Sequence, residues 1–167
     1  MGHKEHRAQS PSVVHCTVVT VSDTRTAETD ASGTLIRKLL ADQGHRIVSS
    51  HLVKDEPVEV RKLLDTVFQN SDVQAVILNG GTGISKRDGT YEAVVEVLEK
   101  RLDGFGELFR SLSYQDIGSA AMLSRAVAGT CRGRILISIP GSEAAVRLAM
   151  EKLILPELGH LVREVNR

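Results

Sequence analysis

Five short stretches of this chain hold residue types suited to polyphosphate chemistry. Gly80-Gly81-Thr82-Gly83 puts three glycines into four residues. Glycine reaches positive φ at little cost and lets backbone N–H groups approach an anion closely. Lys86-Arg87-Asp88 follows at once, and there a carboxylate suits a magnesium ion while two cations suit phosphate charge. Ser22-Asp23 ends a β-branched run, and Asp55 stands two residues before Pro57. Pro140-Gly141-Ser142 precedes Glu143-Ala144-Ala145, where Ser142 can cap a helix whose N-terminus also favours anions.

Each cluster also has a plainer explanation. The glycine run serves equally as a tight turn, and Asp88 as the cap of the next helix with Lys86 and Arg87 solvated. Asp55 suits the first turn of a helix begun by Pro57, and Asp23 an Asx-turn. The common nucleotide signatures are absent: the glycine run lacks the P-loop lysine spacing, and residue 86 is Lys where GxGxxG needs glycine. No GxSxG and no Cys–His signature occurs, which argues against hydrolysis by a nucleophilic triad. The histidines show no metal-ligand spacing.

The elements that must position these clusters follow from periodicity. Val13 to Val21, Arg46 to Val53, Ala75 to Leu78 and Arg134 to Ile139 read as strands rich in β-branched and aliphatic residues. Leu35, Ile36, Leu39 and Leu40 recur at helical spacing, as do Val60, Leu63, Leu64, Val67 and Phe68. Tyr91, Val94, Val95, Leu98 and Leu102 predict a helix after Asp88. Phe105, Leu108, Phe109 and Leu112 mark another, as core or as a subunit interface. Ala120 to Ala128 predicts a further helix, and the last, from about Glu143 to Val165, should kink or split at Pro156. Strands alternating with helices predict an α/β chain: a single three-layer domain, mostly parallel sheet, helices on both faces. All strand C-termini then share one edge, where such sheets bind ligands. The four strand exits are SDTR, KDE, NGGTG and PGS, the clusters named above. Residues 1–12 predict a mobile tail ahead of one domain over 13–167.

Composition bounds the function classes. The chain has 21 basic and 21 acidic side chains among 167 residues, so bulk attraction to nucleic acid or an anionic membrane is not expected. No apolar run approaches the roughly 18 residues of a membrane span. Cys16 and Cys131 stand apart, as buried thiols of a reducing compartment would, and the cytoplasm is the expected location. With 3% aromatic residues and no Trp, the core must be aliphatic.

In their order and spacing, TVSDTRT at 20–26, KDE at 54–56, GGTG at 80–83, RD at 87–88, GFGELFR at 104–110, LSRA at 123–126 and IPGS at 139–142 resemble the molybdenum cofactor biosynthesis family of MoaB and Mog proteins. The resemblance runs from about residue 13 to 162, and GFGE and LSRA look more like the MoaB branch. It implies adenylylation of molybdopterin by Mg-ATP, with pyrophosphate released. Asp55 and Asp88 would be the catalytic, magnesium-holding pair. Ser22, Asp23, Gly80, Gly81, Thr82, Gly83, Pro140, Gly141 and Ser142 would line the nucleotide and pterin pocket, with Lys86 and Arg87 as its cations. Homotrimers or hexamers are implied as the assembly. A catalytically inactive molybdopterin carrier is the alternative, and a nucleotide-binding regulator a third reading. One departure is local: Gly89-Thr90-Tyr91-Glu92-Ala93 stands where the family commonly has Val-Thr-Pro-Glu-Ala, which removes a proline from the helix start.

Overall fold

The computed structural model describes residues 8–167. The strands are β1 (His15–Val21), β2 (Arg46–Val53), β3 (Ala75–Asn79), β4 (Lys100–Arg101), β5 (Val127–Cys131) and β6 (Arg134–Ile139). They form one sheet in the order β2-β1-β3-β6-β5-β4. The β2, β1, β3 and β6 ladders are parallel, while β5 pairs antiparallel with both β6 and β4. The helices are α1 (Ala31–Asp42), α2 (Pro57–Gln69), α3 (Thr90–Val97), α4 (Asp103–Ile117), α5 (Glu143–Ala149) and α6 (Leu155–Val165).

Strand side chains alternate between faces, and the two faces carry separate cores. Val18, Ile77, Ile135, Ile137 and Ile139 pack with α1, α4, α5 and α6 through Ile36, Leu40, Phe109, Val146 and Leu158. Val19, Val76, Leu78 and Leu136 pack instead with α2 and α3 through Val60, Leu64, Phe68 and Val94. That partition is the expected three-layer α/β arrangement, with β1 and β3 buried on both faces as a parallel interior requires.

Three expectations need correction. Ala120 to Ala128 is not a helix: a 3-10 turn over Gly118–Leu123 gives way to β5. The deciding feature is Arg132-Gly133, whose φ values of +50° and +74° make a two-residue hairpin turn that folds Val127–Cys131 back along β6. The Ala-Ala-Met-Leu run keeps its helical preference as the 3-10 turn, and pairing on the sheet claims the residues that follow it. The helix after Asp88 stops at Val97, because residues 100–101 pair with β5 as β4. Leu98 therefore packs with the α2/α3 core and Leu102 with the opposite one. The sheet has six strands rather than four.

Pro156 splits the last helical stretch in a particular way. It has no N–H to donate, and Met150–Ile154 widens to a π-turn in which the Leu155 N–H reaches the Met150 carbonyl. The tail predicted over 1–12 falls partly outside the described residues. Of the part described, Gln9 accepts a hydrogen bond from Arg163 at 2.9 Å, and the Pro11 carbonyl lies against Gly159.

Candidate functional site

The four parallel strands deliver SDTR, KDE, NGGTG and PGS to one rim of the sheet, as their direction requires. A cleft of about 480 Å³ opens there, lined by Val21, Ser22, Thr24, Arg25, Gly80–Gly83, Asp88, Leu123, Ser124, Pro140 and Gly141. Asp23, Asp55, Lys86, Arg87 and Ser142 flank it rather than line it.

The glycine loop is built by close approach. Gly80 has φ +104°, its N–H donates to the Ile139 carbonyl at 3.0 Å, and a β-carbon there would sit 2.1 Å from the Val21 carbonyl oxygen. Gly81 has φ +65°, and a β-carbon would meet the Thr90 hydroxyl at 2.1 Å and Asp55 Oδ2 at 2.8 Å. Only glycine lets the loop descend onto the aspartate beneath it.

Asp55 is 7% exposed. Its Oδ1 accepts from the Gly89 N–H and the Thr90 hydroxyl, both at 3.1 Å, so it closes the start of α3 rather than its own helix. Asp88 does not cap α3 either: the α3 N-cap is Gly89, without a side-chain cap, and Asp88 Oδ2 accepts from the Ser85 N–H at 2.9 Å. A β-carbon on Gly83 would lie 2.7 Å from that same oxygen. Both aspartates therefore press on one glycine loop. Among the described residues, Asp55 Oδ2 and Asp88 Oδ1 accept no hydrogen bond.

The Asx-turn at Asp23 is also displaced. Ser22 Oγ makes the turn, accepting from the Thr24 and Arg25 N–H groups at 3.2 and 3.0 Å. Asp23 reaches across to the Asp55 N–H at 3.1 Å and to the Arg87 guanidinium at 3.0–3.1 Å. Arg87 also donates to Glu56 at 2.5 Å. The hydrogen bonds from Arg87, then that from the Asp55 N–H, hold the Asp23 carboxyl below the usual carboxylate range. Arg87 is thus already matched by two acids, whereas Lys86 extends from the exposed part of the loop. Ser142 caps α5 as expected, accepting from the Ala145 N–H at 3.2 Å.

Two arginines at the site escaped the sequence reading. Arg25 lines the cleft, donates to the Gly141 carbonyl at 2.8 Å and lies 3.9 Å from the buried Asp30. Its place in the first strand exit was the available signal. Arg125 donates to the Thr82 and Gly83 carbonyls and to Glu92, and its place in the LSRA segment at 123–126 was the available signal. Asp30 in turn accepts from Thr20 and the Gly33 N–H, fixing the start of α1 beside the first exit.

No group of three His, Cys, Asp or Glu side chains among the described residues could hold a metal unaided. Magnesium binds through one or two carboxylates together with substrate phosphates and water, so the open oxygens of Asp55 and Asp88 fit that ion. The donor set and the glycine cradle suit a magnesium-bound polyphosphate.

Comparison with known proteins shows the family. The family described as "Probable molybdopterin binding domain" matches residues 17–160. The chain belongs to that family. It is 52% identical to molybdenum cofactor biosynthesis protein B of Bacillus cereus over 168 aligned positions, covering 100% of this chain and 99% of the relative. A crystal structure of a molybdenum cofactor biosynthesis protein B superposes with a TM-score of 0.91 at 53% identity, over 95% of this chain and 99% of that one. The tungsten cofactor synthesizing protein MoaB of Pyrococcus furiosus superposes at 0.82 with 34% identity, over 95% and 100% of the two chains. The chain has its place in molybdenum cofactor biosynthesis, through a molybdopterin-binding domain of the MoaB/MogA fold.

Proposed function

We propose that the chain adenylylates molybdopterin with Mg-ATP. The observation that carries this is the pair of open carboxylate oxygens, on Asp55 beside the cleft and Asp88 lining it, held against one glycine loop. In the reaction, the terminal phosphate of molybdopterin attacks the α-phosphorus of ATP. A P–O bond forms there as the bond to the departing pyrophosphate breaks. A phosphate monoester has its second pKa at about 6, so the nucleophile is ionised near neutral pH and no side-chain base is required. The obstacle is repulsion between two polyanions, which positioning and electrostatic stabilisation relieve.

Magnesium, held by Asp55 and Asp88, would neutralise phosphate charge. Gly81–Gly83 offers backbone N–H groups to the phosphates, and Arg25 in the cleft wall and Lys86 on the loop add positive charge. Arg87 acts at one remove, by fixing Asp23 against the Asp55 backbone. Leu123, 51% exposed at the cleft mouth, offers an apolar face to a pterin ring.

The exposed apolar residues Leu108, Tyr114 and Ile117 of α4, with Met122 on the adjoining turn, support assembly into a homotrimer or hexamer. No helix among the described residues is long and apolar enough to cross a membrane. The two cysteines are buried and free, which supports a reducing, cytoplasmic setting.

One observation favours the carrier reading. The engagement of Arg87 with Asp23 and Glu56 leaves fewer cations for a triphosphate. Calorimetric titration with Mg-ATP separates the two. The enzyme reading expects binding that weakens at least ~10-fold in Asp55→Asn. Molybdopterin binding without any Mg-ATP binding would establish the carrier instead.

A further inference from the structure

The segment between β3 and α3, residues 80–89, has no ladder to satisfy its carbonyls, yet it must hold Asp88 still. Buried or half-buried carbonyls need donors, and here three of them end on one side chain. Arg125 Nε donates to the Gly83 and Thr82 carbonyls at 3.0 and 3.3 Å, and Nη2 donates to the Asp88 carbonyl at 3.3 Å and again to Gly83. One guanidinium thus ties the start of the loop to its end. The guanidinium is itself fixed. Glu92, in the first turn of α3, accepts from Nη1, and the Tyr91 ring stacks beneath it at 4.7 Å from centroid to Cζ. Tyr91 and Glu92 lie on α3 and Arg125 ahead of β5, so the clamp joins the loop to two elements packed on the sheet.

We propose that Arg125 is a positioning residue: its guanidinium, stacked on Tyr91, clamps the glycine loop and so sets the place of the Asp88 carboxylate. Asp88 Oδ2 depends on the Ser85 N–H and on the close approach of Gly83, and both belong to the clamped segment. The role calls for a planar fork with several donors, which lysine lacks. The consequence for turnover rests on the adenylyltransferase reading; the consequence for loop order does not.

The test uses the full chain with Arg125→Lys and Arg125→Ala, in two arms. In the first, adenylyl transfer is followed against magnesium concentration. Both variants should lose at least ~10-fold in kcat and need more magnesium for half-maximal rate, since small misplacements of a reacting group cost that much. Their thermal midpoints should stay within ~3 °C of the parent. A role limited to balancing the charge of Glu92 would be rescued by lysine, so parent-like turnover and magnesium demand in Arg125→Lys would overturn the proposal. In the second arm, amide hydrogen exchange is compared across the chain. Faster exchange confined to the 82–89 segment, including the Ser85 and Gly89 amides, is expected. Unchanged exchange there, or an increase spread evenly over the fold, would also overturn it. If the parent protein shows no adenylyl transfer, the functional reading fails and the exchange arm decides the clamp alone.

Discussion

Replacing Gly81 by alanine tests whether the loop is shaped by the aspartate beneath it. Two separable effects are expected. A β-carbon on a residue in the left-handed region costs about 1–2 kcal/mol, and Gly81 has φ +65°. The new atom would also sit 2.1 Å from the Thr90 hydroxyl and 2.7 Å from the Thr90 β-carbon, and Thr90 is wholly buried at the start of α3. Relief requires Thr90 or the loop to move by about an ångström, an overpacking of about 1–3 kcal/mol. That movement breaks the 3.1 Å hydrogen bond from Thr90 to Asp55, so the total should reach about 3–5 kcal/mol. Gly44→Ala is the matched control. Gly44 has φ +82° with nothing within 4 Å of its would-be β-carbon, so only the backbone cost applies. Urea unfolding of both variants should place Gly81→Ala at least ~2 kcal/mol below Gly44→Ala. Equal stabilities would refute the argument, because they would mean the loop can lift from Asp55 freely.

Two pH effects follow from the described interactions. Burial pushes the Cys16 thiol up to about 12 from 9.0, so its contribution to stability is present below about pH 9 and is lost as pH rises toward 12, at about 1.4 kcal/mol per pH unit. Unfolding measured from pH 8 to 11 should show a shallower alkaline loss in Cys16→Ala, and identical slopes would contradict the assignment. Arg87 holds the Asp23 carboxyl low, so that contribution is present above the unfolded carboxyl value and fades as pH falls through the native one. In Arg87→Ala, an NMR titration should find Asp23 returned toward the ordinary carboxylate range, and an unmoved Asp23 would remove Arg87 as the cause.

Periodicity revealed most of the sheet and its covering helices, because both faces of β1, β3 and β6 are apolar and the helical stripes of α1 and α2 are regular. It failed where a short-range preference lost to pairing. Nothing in Ala120–Leu123 signals a strand to follow, and the hairpin rests on Arg132 adopting positive φ, which arginine seldom does. Residues 100–101 are too short a strand to show a period. At the site, placing four polar clusters at strand exits sufficed to bring Asp23, Asp55 and Asp88 to one rim. The partners of those side chains were not legible. Local rules suggest a cap for Asp88 and an Asx-turn for Asp23, yet Ser85 and Arg87 claim them, and Asp55 serves a helix other than its own. The Asp23 and Asp55 pairings are decided by residues 30 or more positions away, whereas Asp88 turns to a loop N–H three residues before it. Arg125 is a further case, since it lies 42 positions beyond the Gly83 carbonyl it meets.

Incubation of the purified protein with ATP, magnesium and molybdopterin, followed by mass spectrometry and pyrophosphate determination, tests the central claim most directly. The account predicts adenylylated molybdopterin and pyrophosphate in equal amounts, falling at least ~100-fold in a folded Asp88→Ala variant. Absence of product from protein that binds both substrates, or near-normal turnover in Asp88→Ala, would contradict it.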